Sequence, residues 1–176
     1  QYVFNQITTE PQFPIDSDEV LITFDATGTA LENYTGDLYT HTGVILEGSN
    51  SWQYVIGNWG NNQTQPKLTR ISDKQYTLNI SPSIRSFYNV PDNKIIRKMA
   101  FVFRSANANI QTVPDLFVDV YESGLSINIT SPDKERIMVK ENEIIPVNAI
   151  SPQADSIFLF VNNELRLAVE GIEIEY

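Results

Sequence analysis

Two successive antiparallel β-sandwich units, the second cut short, are what the 176-residue sequence predicts. Three observations carry that expectation. Apolar and polar residues alternate along most of the chain, the period of a strand with one buried face, while the spacing of an amphipathic helix is nearly absent. Clusters of Gly, Pro, Asn and Asp cut the alternating stretches into short runs. A hydrophobic share of 41% against 19% charged residues supplies apolar surface for a core.

Val20, Ile22 and Phe24 alternate with Leu21 and Thr23 in the first expected strand, 20–24, which turn residues at 25–30 end. A second is expected at 37–44, a short third at 54–56, and a fourth at 75–80 that stops before Pro82. Residues 83–88 have room for one helical turn before Pro91 and Asp92 end it. Strands at 98–103 and 116–121 complete the first unit, expected to span residues 1–122.

Composition changes at Glu122-Ser123-Gly124. Sixteen of the 19 aromatic residues precede it, and only Phe158, Phe160 and Tyr176 follow. Further strands are expected at 125–130, 144–149, 156–161, 165–169 and 172–176, with Asn162-Asn163-Glu164 as a hairpin turn. This is the pattern of an immunoglobulin-like sandwich, which needs about 100 residues. Residues 123–176 are therefore expected to be an incomplete immunoglobulin-like β domain, the whole being an excerpt of a longer protein. A small five-strand domain complete in itself is the other possibility.

Charge and composition exclude several chemistries. With 12 Lys and Arg against 22 Asp and Glu, the net charge is −10 and the pI about 4.4, so nucleic acid is not an expected partner. Zero Cys excludes thiolate metal sites, disulfide scaffolds and cysteine nucleophiles. A single histidine, His41, excludes sites built on two imidazoles. No nucleophile elbow, phosphate-binding glycine loop or dinucleotide fingerprint occurs. The acidic run Asp16-Ser17-Asp18-Glu19 lacks the glycine and terminal glutamate of a helical calcium loop, leaving only a lone calcium on loop carboxylates to consider. No cofactor and no catalysis are expected. No apolar run approaches the ~20 residues of a membrane span. A chain opening at Gln1 is expected to have lost a secretion signal or to start inside a longer gene, which places it outside the cell or on a bacterial surface.

One cluster stands out. On the strand at 37–44, Tyr39 and His41 share one face while Leu38, Thr40 and Thr42 share the other. Trp52 and Trp59 lie on polar, glycine- and amide-rich stretches that rarely line a core. A flat apolar ring with a polar edge suits the C–H face of a pyranose, and neighbouring Asn and Gln amides suit its hydroxyls. The competing reading makes these rings core residues, or a surface shielded by a neighbouring domain.

The order of these pieces resembles a known family. Asp37-Leu38-Tyr39-Thr40-His41-Thr42-Gly43, then Ser51-Trp52, then the short basic strand Pro66-Lys67-Leu68-Thr69-Arg70, then Gln75-Tyr76-Thr77-Leu78-Asn79-Ile80, then Met99-Ala100-Phe101-Val102-Phe103-Arg104-Ser105-Ala106-Asn107 are similar to the starch-binding carbohydrate modules of secreted bacterial α-amylases. The resemblance covers about residues 20–121. It implies binding of α-glucan oligosaccharide or polysaccharide by Tyr39, His41 and Trp52, and a monomer tethered to a catalytic domain further along the same chain. The family's Phe-Val-Phe strand is usually followed by a second stacking Trp. Here Asn107-Ala108-Asn109-Ile110-Gln111 has no ring, and Trp59 is the candidate to replace it. The stretch 82–91 is longer than the family pattern.

Overall fold

The computed structural model describes residues 6–132 and 137–176, an all-β chain whose named strands pair antiparallel throughout. It divides into two compact units, Gln1–Tyr121 and Glu122–Tyr176.

In the first unit, β1 (Ile7–Glu10), β2 (Val20–Asp25), β4 (Thr69–Arg70) and β5 (Gln75–Ile80) form one sheet in the order β1-β2-β5-β4. β3 (Leu38–Leu46), β6 (Ile96–Ser105) and β7 (Leu116–Asp119) form another in the order β3-β6-β7. Alternation does its expected work. Val20, Ile22 and Phe24 of β2 are fully buried, and the register sets them opposite Ile80, Leu78 and Tyr76 of β5. The second sheet answers with Val44, Met99, Phe101 and Phe103. Phe24 and Phe103 meet across the sheets with ring centroids 4.2 Å apart, closing one sandwich core. Burial of each such ring contributes about 1.5–3 kcal/mol. A one-residue slip would turn all of them to solvent, so the register is strongly specified.

The single helical turn, α1 (Ile84–Phe87), sits where the proline spacing expects it, with the Ser83 hydroxyl accepting from the Ser86 N–H at 3.1 Å as its N-cap. It buries Ile84 and delivers Tyr88 to the core. The Thr42 hydroxyl donates to the Ala100 carbonyl at 2.8 Å, so the Tyr88 phenol, 2.7 Å away, donates to Thr42. Burial pushes that phenol far above its ordinary pKa and keeps it protonated.

In the first unit one expected strand does not form and one unexpected strand does. Residues 54–56 form no strand: Tyr54 takes a left-handed φ of 51°, which breaks the extended run after a single bridge between Gln53 and Val44. β1 carries one apolar residue, Ile7, in its four, too little alternation to mark a strand in the sequence.

In the second unit, β8 (Asn128–Ser131), β9 (Asn148–Ile150) and β12 (Glu173–Glu175) form a sheet in the order β12-β9-β8. β10 (Ser156–Val161) and β11 (Glu164–Glu170) form a hairpin. Its two-residue loop holds Asn162 and Asn163 at φ 52° and 65°, the pair of left-handed residues that matches strand twist. Among the described residues its buried apolar core is only Ala149, Ile157 and Ile174. The strands expected from 125 and 144 begin later, at Asn128 and Asn148. Leu125 and Ile144 remain 80% and 91% exposed, so neither gains the burial that would hold it in an extended, half-buried strand. No helix among the described residues is long and apolar enough to cross a membrane.

Candidate functional site

The outer face of the β3-β6-β7 sheet, turned away from the sandwich core, carries Tyr39 and His41 and is where His41 meets Trp52 and Trp59. Antiparallel register pairs Tyr39 with Arg104, His41 with Val102 and Gly43 with Ala100, and continues from Ala100 to Phe117 on β7. These residues share a face because each lies two positions from the next along its strand.

Residues 47–68 run along the free edge of β3 and fold over this face. Gln53 exchanges two backbone hydrogen bonds with Val44, at 2.8 and 2.9 Å, and the Ile56 N–H donates to the Thr42 carbonyl at 2.9 Å. Further along, the Thr40 N–H reaches Pro66 and the Leu68 N–H reaches Leu38, each at 2.9 Å. The edge of β3 is thereby capped by its own loop. Position 43 must be glycine for this: a Cβ there would lie 2.8 Å from the Gln53 carbonyl oxygen. A tight turn then carries Gln65 inward, its N–H bonded to the Asn61 carbonyl at 2.9 Å. The Asn62 amide donates to the Ala106 carbonyl at 3.0 Å, fastening this loop to the one between β6 and β7. The ringless stretch 107–111 and Trp59 thus belong to adjoining loops.

His41 stands at the centre of the rings. Trp52 stacks on it with centroids 5.4 Å apart and planes 21° from parallel. Trp59 meets it edge-on at 5.4 Å, and Phe117 meets Trp52 edge-on at 6.5 Å. Trp52 and His41 are half-buried, whereas Trp59 and Phe117 are 46% and 47% exposed. None of the four belongs to the sandwich core. The structure therefore brings His41, Trp52 and Trp59 together and adds Phe117.

Tyr39 is placed differently. It makes no ring contact with the other three and is engaged by Arg104, whose guanidinium carbon lies 5.1 Å from the ring centroid. Arg104 is fully buried. Its Nε donates to Gln65 Oε1 at 2.7 Å and its Nη1 to the carbonyls of Ser105 and Ala106 at 3.0 and 3.5 Å, while Nη2 has no hydrogen-bond partner among the described residues. Gln65, also buried, turns its amide nitrogen to His41 Nδ1 at 2.7 Å. Sequence reasoning missed Gln65, Arg104 and Phe117. Alternation places Arg104 and Phe117 on the outer face, but nothing local marks Gln65.

Burial, and secondarily the Arg104 charge, pull the His41 pKa below its ordinary 6.5, with Asp115 opposing. The unfolded chain accepts a proton near pH 6.5 that the folded ring resists, so the unfolded state binds more protons below that pH. The stabilisation is complete above about pH 7 and fades as pH falls through 6.5 toward the folded midpoint. Asp25 and Glu32 are shifted down from 3.8 and 4.5, so their contributions fade only at lower pH. Urea denaturation is expected to find the first unit less stable at about pH 5.5 than at about pH 7.5, with His41→Gln largely removing that difference. An undiminished difference in the variant would assign it to another group.

The acidic run at 16–19 is dispersed. Asp16 pairs with Arg85, Asp18 accepts from the Ile15 N–H and Glu19 accepts from Asn79. Among the described residues no three His, Cys, Asp or Glu gather as a metal site. A separate groove beside β4 holds Lys67 paired with Asp37 at 2.8 Å and Arg70 bound to Thr35 and Asp73, so its charges are satisfied among themselves. No protein-family model and no curated protein matches the chain.

Proposed function

We propose that the first unit binds carbohydrate without catalysis, on the outer face of the β3-β6-β7 sheet, as an accessory module for a starch-like α-glucan. The observation that carries this reading is the arrangement of Trp52 and Trp59 against His41, with Trp59 nearly half exposed and none of the three in the core. Indole faces of this kind lie against the C–H face of a sugar ring, and the exposed side chains of Asn58, Asn62 and Gln63 on the same loop offer donors and acceptors to hydroxyls. A neutral polysaccharide escapes the repulsion that a net charge of −10 exerts on anionic ligands. The choice of an α-linked glucan comes from the resemblance. In a longer secreted protein such a module acts by avidity, keeping polymer close to a catalytic domain in the same chain.

Isothermal calorimetry with maltoheptaose tests the reading, with cellohexaose as the β-linked comparison. Saturable binding of maltoheptaose in the submillimolar range, about −4 kcal/mol or better, is expected, with a shift in tryptophan fluorescence. Cellohexaose binding without maltoheptaose binding would reject the α-glucan. Silence with both sugars would reject carbohydrate binding.

A further inference from the structure

His41 has an unusual neighbour chain for an imidazole facing a ligand surface. Arg104 is a permanent donor with no acceptor atom, so the Gln65 oxygen, not its nitrogen, must face Arg104 Nε. That leaves the Gln65 NH₂ facing His41 Nδ1, and a donor there requires an unprotonated ring nitrogen. The ring proton is then on Nε2, to which no described residue is hydrogen-bonded. We propose that Arg104 and Gln65 are positioning residues that hold His41 as a neutral imidazole with its proton on Nε2, a dedicated donor for an acceptor oxygen of the bound sugar.

Burial supports the lock from two sides. Arg104 is wholly enclosed and held by Gln65, two carbonyls and the Tyr39 ring, and among the described residues no carboxylate pairs with it to compete for the guanidinium. Flipping the Gln65 amide would set donor against donor at Arg104 and is costly in a buried site. The charged groups acting on His41 are Arg104 from β6 and Asp115 from the approach to β7, while loop 47–68 contributes Gln65 and the two indoles. The role also explains why Tyr39 covers Arg104 instead of joining the other rings.

The sugar-facing half of this inference rests on the glucan reading; the lock does not. Two-bond proton–nitrogen spectra of the ¹⁵N-labelled chain read the tautomer directly, because the chain has one histidine. A proton on Nε2 and a bare Nδ1 at about pH 7.5 are expected, and the opposite tautomer or a cationic ring would overturn the lock. Gln65→Glu keeps the length and the Arg104 contact but puts an acceptor opposite Nδ1. It is expected to move the proton to Nδ1 and raise the titration midpoint of His41 above the wild-type value; no change in either would also overturn the lock. Maltoheptaose affinity of the wild type is expected to stay flat from about pH 6.5 to 8, whereas Gln65→Glu loses roughly tenfold at pH 8 and recovers as acid returns a proton to Nε2. Equal affinity of both proteins at both pH values overturns the donor role. If the wild type binds no maltoheptaose at all, the glucan reading and the sugar-facing half fall together, and the spectra alone decide the lock.

Discussion

Replacing Phe103 with alanine is expected to cost the first unit about 3–5 kcal/mol, toward the upper end for a buried ring. Phe103 is fully buried between Phe24, at 4.2 Å, and Phe101, at 5.7 Å. The cost depends on whether the surroundings can close the vacated space, and here the backbone is held on both sides. β6 pairs with β3 at Thr40, and Thr112 brackets Phe103 by donating its N–H to the carbonyl at 2.8 Å and accepting the Phe103 N–H on its hydroxyl at 3.1 Å. A domain stabilised by about 5–15 kcal/mol is left marginal by such a loss. Both tryptophans lie in this unit, so fluorescence-monitored urea unfolding reports it without interference from the second. The midpoint should fall sharply with the slope unchanged. A loss under about 1 kcal/mol would mean that the two sheets do not share the core described.

Trp52→Ala is expected to leave that unfolding curve nearly in place and to weaken maltoheptaose by about 2 kcal/mol, roughly thirtyfold. The separation follows from position. Trp52 stacks on His41 and touches Phe117 on the outer face, outside the sandwich core, so its removal takes away a platform without opening a hole between sheets. His41 also loses the ring that fixes its tilt, which adds to the loss in binding. Unfolding in step with loss of binding would make Trp52 a structural residue, and unchanged affinity would remove the ring surface from the proposed function.

The strands that were legible are those with one buried face. Residues 20–24 and 75–80 could be read because Val20, Ile22, Phe24, Tyr76, Leu78 and Ile80 alternate with solvent-side residues. The helical turn was legible from the short stretch that Pro91 and Asp92 close, and the second hairpin from Asn162 and Asn163. Residues 54–56 misled because Tyr54, Val55 and Ile56 have strand-forming side chains, yet the loop must turn there to cross β3, and Tyr54 takes up the turn. β6 shows the limit from the other direction. From Met99 to Ser105 every residue is buried, so its outward side chains carry no mark of exposure, and Arg104 reads as a surface charge when it is enclosed.

Sequence alone determined the antiparallel all-β architecture and which face of β3 carries Tyr39 and His41, because strand pleat is a local property repeating every two residues. It also marked Trp52 and Trp59 as rings set in polar loops. Only tertiary structure decided that Gln65 joins Arg104 to His41, that Phe117 completes the ring group, and that Tyr39 is drawn away to cover a guanidinium. Those contacts join residues 24 to 65 positions apart. They depend on where an irregular loop crosses a sheet, which no periodicity encodes.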